Sequence, residues 1–106
     1  MAEGSDHLQI TVEAEGSDAR VRLDGELDIH TAPGVADAVD DAVDRGATNL
    51  VVDASALRFC DSSGIQVLVQ ARERIVAAGG SLTIEGVHGS VEKVLSVTGL
   101  LDLFSE

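Results

Sequence analysis

Hydrophobic residues occupy every second position in two segments near the N-terminus, residues 8–14 and residues 21–27. A period of two is typical of a β-strand that buries one face. The segment between them is rich in glycine, serine and aspartate, which favour turns. The pattern therefore predicts two strands joined as a hairpin.

Three later segments carry hydrophobic residues at the spacing of an amphipathic helix. The first spans residues 31–46, with Thr31 as the expected N-cap and Gly46 as the C-terminal stop. The second follows the sequence DSSG and ends at a pair of glycines, and the third begins behind Ser90. In the second helix the expected buried stripe consists of Ile65, Leu68, Val69, Ile75 and Val76.

Two short segments separate these helices: a hydrophobic run at residues 50–52, and residues 81–86, in which Leu82 and Ile84 alternate with other residues. The consecutive apolar residues 50–52 indicate a central strand covered on both faces, and residues 101–104 predict a short last strand or a docked tail. Alternating strands and helices indicate an α/β fold. We predict a mixed, mostly parallel β-sheet of four to five strands with helices packed mainly on one face. Residues 1–7 are expected to be a flexible N-terminus, and residues 8–106 a single domain.

Composition narrows the classes of partner. The 106 residues suffice for one domain, and 19 acidic against 7 basic side chains give a net charge of −12. This charge repels phosphate backbones and anionic lipid headgroups, so we expect no nucleic acid and no membrane as partner. The only aromatic residues are Phe59 and Phe104, so the core is expected to be mainly aliphatic, with Phe59 in it. The chain has one cysteine, Cys60, and shows neither a secretory leader nor an apolar run of about 18 residues, so we expect a cytoplasmic protein.

The sequence DSSG, residues 61–64, is the most conspicuous polar motif. A catalytic serine needs an adjacent base, and neither a nucleophile elbow nor a histidine at a known spacing accompanies Ser62 or Ser63. Phosphate-binding loops and metal-ligand motifs are also missing from the sequence, so no enzyme, cofactor or metal is expected. Two interpretations of the motif stay open: one of these residues caps the second helix, or an exposed hydroxyl accepts phosphate from a kinase.

Three segments of the chain resemble the STAS domain of bacterial anti-sigma factor antagonists: GELDIHTAPGV from Gly25, LVVDASALRFCDSSGIQVLV from Leu50, and AAGGSLTIEGVHGSVEKVLSVTGLLDLF from Ala77. The resemblance covers residues from about Leu8 to Phe104 and implies the STAS fold. It also implies that Ser62, directly after the aspartate, is the phosphoacceptor. The partner-binding residues that it implies are Asp28, His30, Thr31, Asp61, Ser63 and Gly64.

The resemblance implies a switch. In this family the unphosphorylated antagonist binds an anti-sigma factor that is itself a serine kinase, which releases the sigma factor. Phosphorylation ends the binding, a serine phosphatase resets the state, and the ATP is bound by the kinase. Family members usually continue into another C-terminal helix, and its absence after Phe104 would favour weak homo-oligomers. Two alternatives are a non-phosphorylated scaffold subunit of a larger complex, such as a lipid-transport assembly, and an enzyme of unknown type that uses Ser62.

Overall fold

The described residues of a computed structural model, residues 3–4 and 7–104, form five strands and three helices. Their order along the chain is β1 (Glu3–Gly4), β2 (Leu8–Glu15), β3 (Asp18–Leu27), α1 (Ala32–Asp44), β4 (Asn49–Cys60), α2 (Ser62–Ala77), β5 (Ser81–Glu85) and α3 (Gly89–Val97). None of these helices is long and apolar enough to cross a membrane.

The strands lie in the sheet in their chain order. β2 is antiparallel to both β1 and β3, and in the β2–β3 hairpin Leu8 lies opposite Gly25. β3, β4 and β5 run parallel, connected through α1 and α2. The predicted mixed α/β sheet is confirmed, with its four pairings divided equally between antiparallel and parallel. Of the expected flexible N-terminus, only Glu3, Gly4 and His7 lie within the described residues.

One face of the sheet is buried and the other is polar. In β3 the buried residues alternate with Arg20, Arg22 and Asp24, which point away from the core. The buried residues of all three helices belong to the same hydrophobic cluster as the inward face of the strands. The molecule therefore has two layers, with the helices over one face. The expectation that β4 is covered on both faces is wrong: on the open face, Arg20 bridges Asp53 of β4 and Glu85 of β5.

All three helices end in the same hydrogen-bonded turn, in which a glycine takes a left-handed conformation. In α1 the amide of Gly46 donates to the carbonyl of Val43, and the amide of Ala47 donates to the carbonyl of Ala42. The equivalent glycines are Gly79 after α2 and Gly99 after α3. Gly46 is therefore the C-terminal stop that the sequence predicts.

The N-caps of α1 and α3 and the buried residues of α2 differ from those that the sequence predicts. Neither Thr31 nor His88, the residues before α1 and α3, uses its side chain as a cap, and Ser90 lies inside the first turn of α3. The buried stripe of α2 consists of Gly64, Val67, Leu68, Ala71 and Ile75. It is rotated from the predicted one because the small residues Gly64 and Ala71 allow close packing, which leaves Val76 exposed.

The two aromatic side chains have opposite environments. Phe104 is buried, and its carbonyl oxygen accepts a hydrogen bond from the amide of Ile84, so residues 101–104 form a docked tail. Phe59 is 44% exposed, which contradicts its expected place in the core. The pairing of β3 and β4 is irregular on either side of Gly25, so alternation along β4 fails before Phe59 is reached.

Candidate functional site

The DSSG motif lies where the carboxyl ends of two parallel strands meet. Leu27, the last residue of β3, pairs with Cys60, the last residue of β4. The amide of Asp61 donates to the carbonyl of Leu27 over 3.2 Å, which joins the two strand ends. The loop between β3 and α1 therefore lies beside the start of α2, as expected when parallel strands end at the same edge.

Asp61 is the N-cap of α2. Its carboxylate accepts a hydrogen bond of 3.0 Å from the amide of Gly64, and its carbonyl accepts one from the amide of Ile65. Ser62 is the first helical residue and is exposed, whereas Ser63 is half-buried. Among the described residues, none forms a hydrogen bond with the Ser62 hydroxyl. The capping role thus falls to Asp61, and the hydroxyl of Ser62 stays accessible to a reactant at the helix N-terminus.

Close packing between α2 and the sheet requires glycine at position 64. It is buried, and a Cβ atom added there would lie 2.7 Å from Cys60 Sγ, 2.8 Å from Leu27 Cγ and 2.9 Å from the Leu27 carbonyl oxygen. These separations are shorter than van der Waals contact allows, so a side chain at this position would push α2 away from the two strand ends. Gly64 therefore sets the distance between helix and sheet and does not offer a bare backbone to a partner.

Asp28 orders the adjacent loop. Its carboxylate accepts hydrogen bonds from the amides of His30, at 2.9 Å, and Thr31, at 3.1 Å. Partial desolvation raises the pKa of Asp28, but these backbone hydrogen bonds, with the nearby His30, lower that pKa below its ordinary value overall. This is an Asx turn, in which the aspartate side chain accepts the hydrogen bonds that a backbone carbonyl accepts in an ordinary turn.

Thr31 supports the same loop from inside. It is 4% exposed, and its hydroxyl donates to the carbonyl of Glu26 and accepts from the amide of Asp28, both at 2.9 Å. The sequence placed Thr31 on the partner surface, but a buried hydroxyl with both roles satisfied has nothing left to offer a partner. His30, in contrast, is exposed.

A groove of about 330 Å³ runs between the first turns of α1 and α2. Ile29 and Pro33 line it on one side, and Ser63 and Gln66 line it on the other. Ile29 is 66% exposed, although it is a large hydrophobic side chain. Ile29 was not among the predicted site residues, although a hydrophobic residue between the polar loop residues Asp28 and His30 was a signal that could have identified it.

Cys60 lies beneath the start of α2 as a buried thiol. It is 5% exposed, and burial together with the nearby charge of Asp61 raises its pKa to about 11. At neutral pH the thiolate, which is the nucleophilic form, is therefore scarce. Within residues 3–4 and 7–104, no three histidine, cysteine, aspartate or glutamate side chains are grouped to hold a metal ion.

The sequence is similar to one protein family and to named members of it. The STAS domain family model matches residues 9–106. The chain is 34% identical to the anti-sigma F factor antagonist of Paenibacillus polymyxa, over 92% of this chain and 84% of that relative. It is 32% identical to the anti-sigma-F factor antagonist RsfB of Mycobacterium tuberculosis, over 78% of this chain and 74% of that relative.

A solved structure shares the fold over nearly the whole chain. The crystal structure of an anti-sigma factor antagonist from Mycobacterium paratuberculosis superposes with a TM-score of 0.81 at 27% sequence identity. The superposition covers 93% of this chain and 84% of that one. The mixed sheet and its helices are therefore an arrangement that this relative also adopts.

Proposed function

The chain belongs to the STAS domain family, among the bacterial anti-sigma factor antagonists, and from this membership we propose that it is a phosphorylation-controlled antagonist. In its unphosphorylated form it binds an anti-sigma factor serine kinase, and the sigma factor is released. Transfer of phosphate from ATP, bound by the kinase, to the Ser62 hydroxyl ends this binding. A serine phosphatase restores the binding form.

This proposal rests mainly on the exposure of the Ser62 hydroxyl. It is exposed at the first position of α2, while Asp61 supplies the cap that the helix needs. A kinase must bring its γ-phosphate in line with the attacking oxygen, and an oxygen tied into the fold would first have to break its own contacts. Ser62 can react without loss of a stabilising hydrogen bond.

The physical basis of release is charge. A phosphoserine adds about −1.5 to −2 charges at neutral pH. On this chain the new charge would sit one residue from Asp61, close to the Asp28 loop, on a domain that already carries −12. Like charges and the desolvation of a dianion both oppose renewed burial of this surface against a partner.

The proposed contact surface surrounds Ser62. We place Asp28, His30, Asp61 and Ser63 on it, because they belong to the two adjoining segments at the strand ends. Thr31 and Gly64 act one layer below, Thr31 by holding the loop and Gly64 by setting the position of α2. The protein has a regulatory role with no chemistry of its own, and it acts in the cytoplasm, where sigma factors and ATP are present.

Intact mass after incubation with ATP and candidate anti-sigma kinases from the same genome tests this function. We expect one added phosphate on wild-type protein and on Ser63→Ala, and none on Ser62→Ala. Equal phosphate uptake by Ser62→Ala would place the acceptor elsewhere. No uptake by folded wild-type protein with any active kinase would favour a constitutive scaffold subunit.

Binding measurements complete the test. Ser62→Ala should keep its affinity for the kinase and should not be released by ATP. Ser62→Asp should bind more weakly than Ser62→Asn, which has nearly the same shape without the charge. Equal affinities for these two variants would refute the electrostatic account of release.

A further inference from the structure

A large hydrophobic side chain stands exposed beside the proposed phosphoacceptor. Ile29 is 66% exposed and lines the same groove as Ser63, the neighbour of Ser62. Among the described residues, the other large exposed hydrophobic side chains are Phe59 near the end of β4, Val76 near the end of α2 and Val97 at the end of α3, and none of them lines this groove. Among the large exposed hydrophobic side chains of the described residues, Ile29 is therefore the one that lines the α1–α2 groove.

The backbone on both sides of Ile29 is held in place. Asp28 accepts hydrogen bonds from the amides of His30 and Thr31, and the carbonyl of Asp28 accepts one of 2.8 Å from the amide of Ala32. The buried hydroxyl of Thr31 ties the loop to Glu26. A side chain on a backbone that is already ordered requires less ordering of the chain when a partner covers it, so more of its burial free energy appears as affinity.

The surroundings of Ile29 match those of a binding hot spot. Polar side chains, Ser63 and Gln66, stand across the groove from it, and His30 is exposed beside it. In protein interfaces a few residues near the centre, surrounded by a polar rim, supply most of the affinity. This differs from the charged contacts at Asp28 and Asp61, which favour the rate of association and specificity more than affinity.

From these observations we infer that Ile29 is the apolar anchor through which the anti-sigma kinase recognises this chain, inserting into an apolar pocket on the kinase surface. This inference rests on the proposed function and adds the source of its affinity. Phosphate on Ser62 then acts beside an apolar contact, where a dianion is costly to desolvate.

A pair of isosteric substitutions tests the inference. Ile29→Val and Ile29→Thr have the same branched shape, but threonine replaces a methyl group by a hydroxyl that an apolar pocket would leave unpaired. The probe is the kinase that phosphorylates wild-type protein, and the readout is its dissociation constant by calorimetry. We expect Ile29→Thr to bind about tenfold more weakly than Ile29→Val. Thermal unfolding should be the same for both variants, because the side chain is exposed.

Two controls separate the outcomes. Val97→Thr makes the same chemical change at a site that is 78% exposed, and it should leave the dissociation constant unchanged. The ratio between the two Ile29 variants should also persist from about 0.01 M to about 0.15 M salt, because an apolar contact is not screened.

Equal affinities of Ile29→Val and Ile29→Thr for a kinase that binds wild-type protein would overturn the anchor and leave the proposed function intact. A loss of the ratio at the higher salt concentration, or an equal effect of Val97→Thr, would also overturn it. Failure of wild-type protein to bind or be phosphorylated would refute the proposed function and the anchor together.

Discussion

Replacement of Gly64 by alanine tests the packing that positions the helix with the proposed phosphoacceptor. The new Cβ would lie within 3.0 Å of three atoms, and one of them is the backbone carbonyl oxygen of Leu27. This oxygen cannot move freely, because it accepts the hydrogen bond from Asp61 that joins the strand ends. Overpacking of a core costs about 1–3 kcal/mol. Alanine regains up to about 1 kcal/mol in helix propensity. Because three atoms lie within 3.0 Å, the overpacking cost falls in the upper part of this range, about 2–3 kcal/mol, and we expect a net loss of about 1–2 kcal/mol in the free energy of unfolding.

Gly34→Ala is the matched control. Gly34 is the third residue of α1, as Gly64 is the third residue of α2, and neither has a positive φ angle. At Gly34 the nearest atom to an added Cβ is the terminal Ile10 Cδ1, at 3.1 Å, which a small side-chain rotation can move. Here the gain in helix propensity and the mild contact oppose each other, so the free energy of unfolding should stay within about 1 kcal/mol of wild type.

Urea unfolding followed by far-UV circular dichroism measures both variants, since the chain contains no tryptophan or tyrosine for fluorescence. The melting temperature of Gly64→Ala should fall by roughly 5–15 °C, given about 4–8 °C per kcal/mol for a domain near this size. A Gly64→Ala protein as stable as Gly34→Ala would refute the account of close helix–sheet packing at this position.

Three further predictions concern the core, the buried thiol and the open face. Phe104→Ala should lower the free energy of unfolding by about 3–5 kcal/mol and Phe59→Ala by less than about 1.5 kcal/mol; similar losses in urea unfolding would contradict their different burial. Iodoacetamide at pH 8 should alkylate Cys60 at least about a hundredfold more slowly in native than in urea-unfolded protein, because its native pKa is about 11; equal rates by mass spectrometry would contradict burial. Hydrogen bonds from Ser55, with Arg20, lower the pKa of Asp53 in the native state. The ionised Asp53 carboxylate therefore stabilises the fold at pH values above its unfolded pKa of about 3.9, and this stabilisation is lost as the pH falls through the native pKa. The difference in the free energy of unfolding between wild type and Asp53→Asn should therefore become smaller from pH 7 to pH 3. A difference that stays constant would show that the substitution acts through packing and not through the charge of Asp53.

The spacing of the hydrophobic residues and the glycines at the helix ends were sufficient to predict the main strands and helices. Alternation in residues 8–14 and 21–27 predicted β2 and β3, and glycine stops predicted the ends of α1 and α2. These signals are local: a strand exposes its pattern within a few residues, and a left-handed turn requires glycine wherever it occurs. The N-terminal strand β1 has only two residues, which is too short to show a period.

Residues whose role depends on distant neighbours were not predictable in the same way. Phe59 is exposed because the β3–β4 pairing is irregular, and Gly64 is required because Leu27 and Cys60 approach it from other strands. The position of Thr31 predicted a helix cap, but its hydroxyl donates to the carbonyl of Glu26 and accepts from the amide of Asp28. At the candidate site, the sequence predicted the DSSG helix entrance and left open which residue caps it. The answer, Asp61, depends on side-chain geometry.

Asp61 caps α2 and the neighbouring Ser62 is the proposed phosphoacceptor, and this division of roles affects the lifetime of the protein in the cell. Asp61 holds the first turn of α2, so the fold makes no use of the hydroxyl that the proposed kinase modifies. Intracellular proteases degrade mainly those molecules that open, in proportion to the unfolded population. A modification that leaves the folded contacts intact does not mark the protein for removal. In the proposed cycle, one pool of molecules can then pass through many rounds of phosphorylation and reset, and the proposed kinase and phosphatase set the response time with no need for new synthesis.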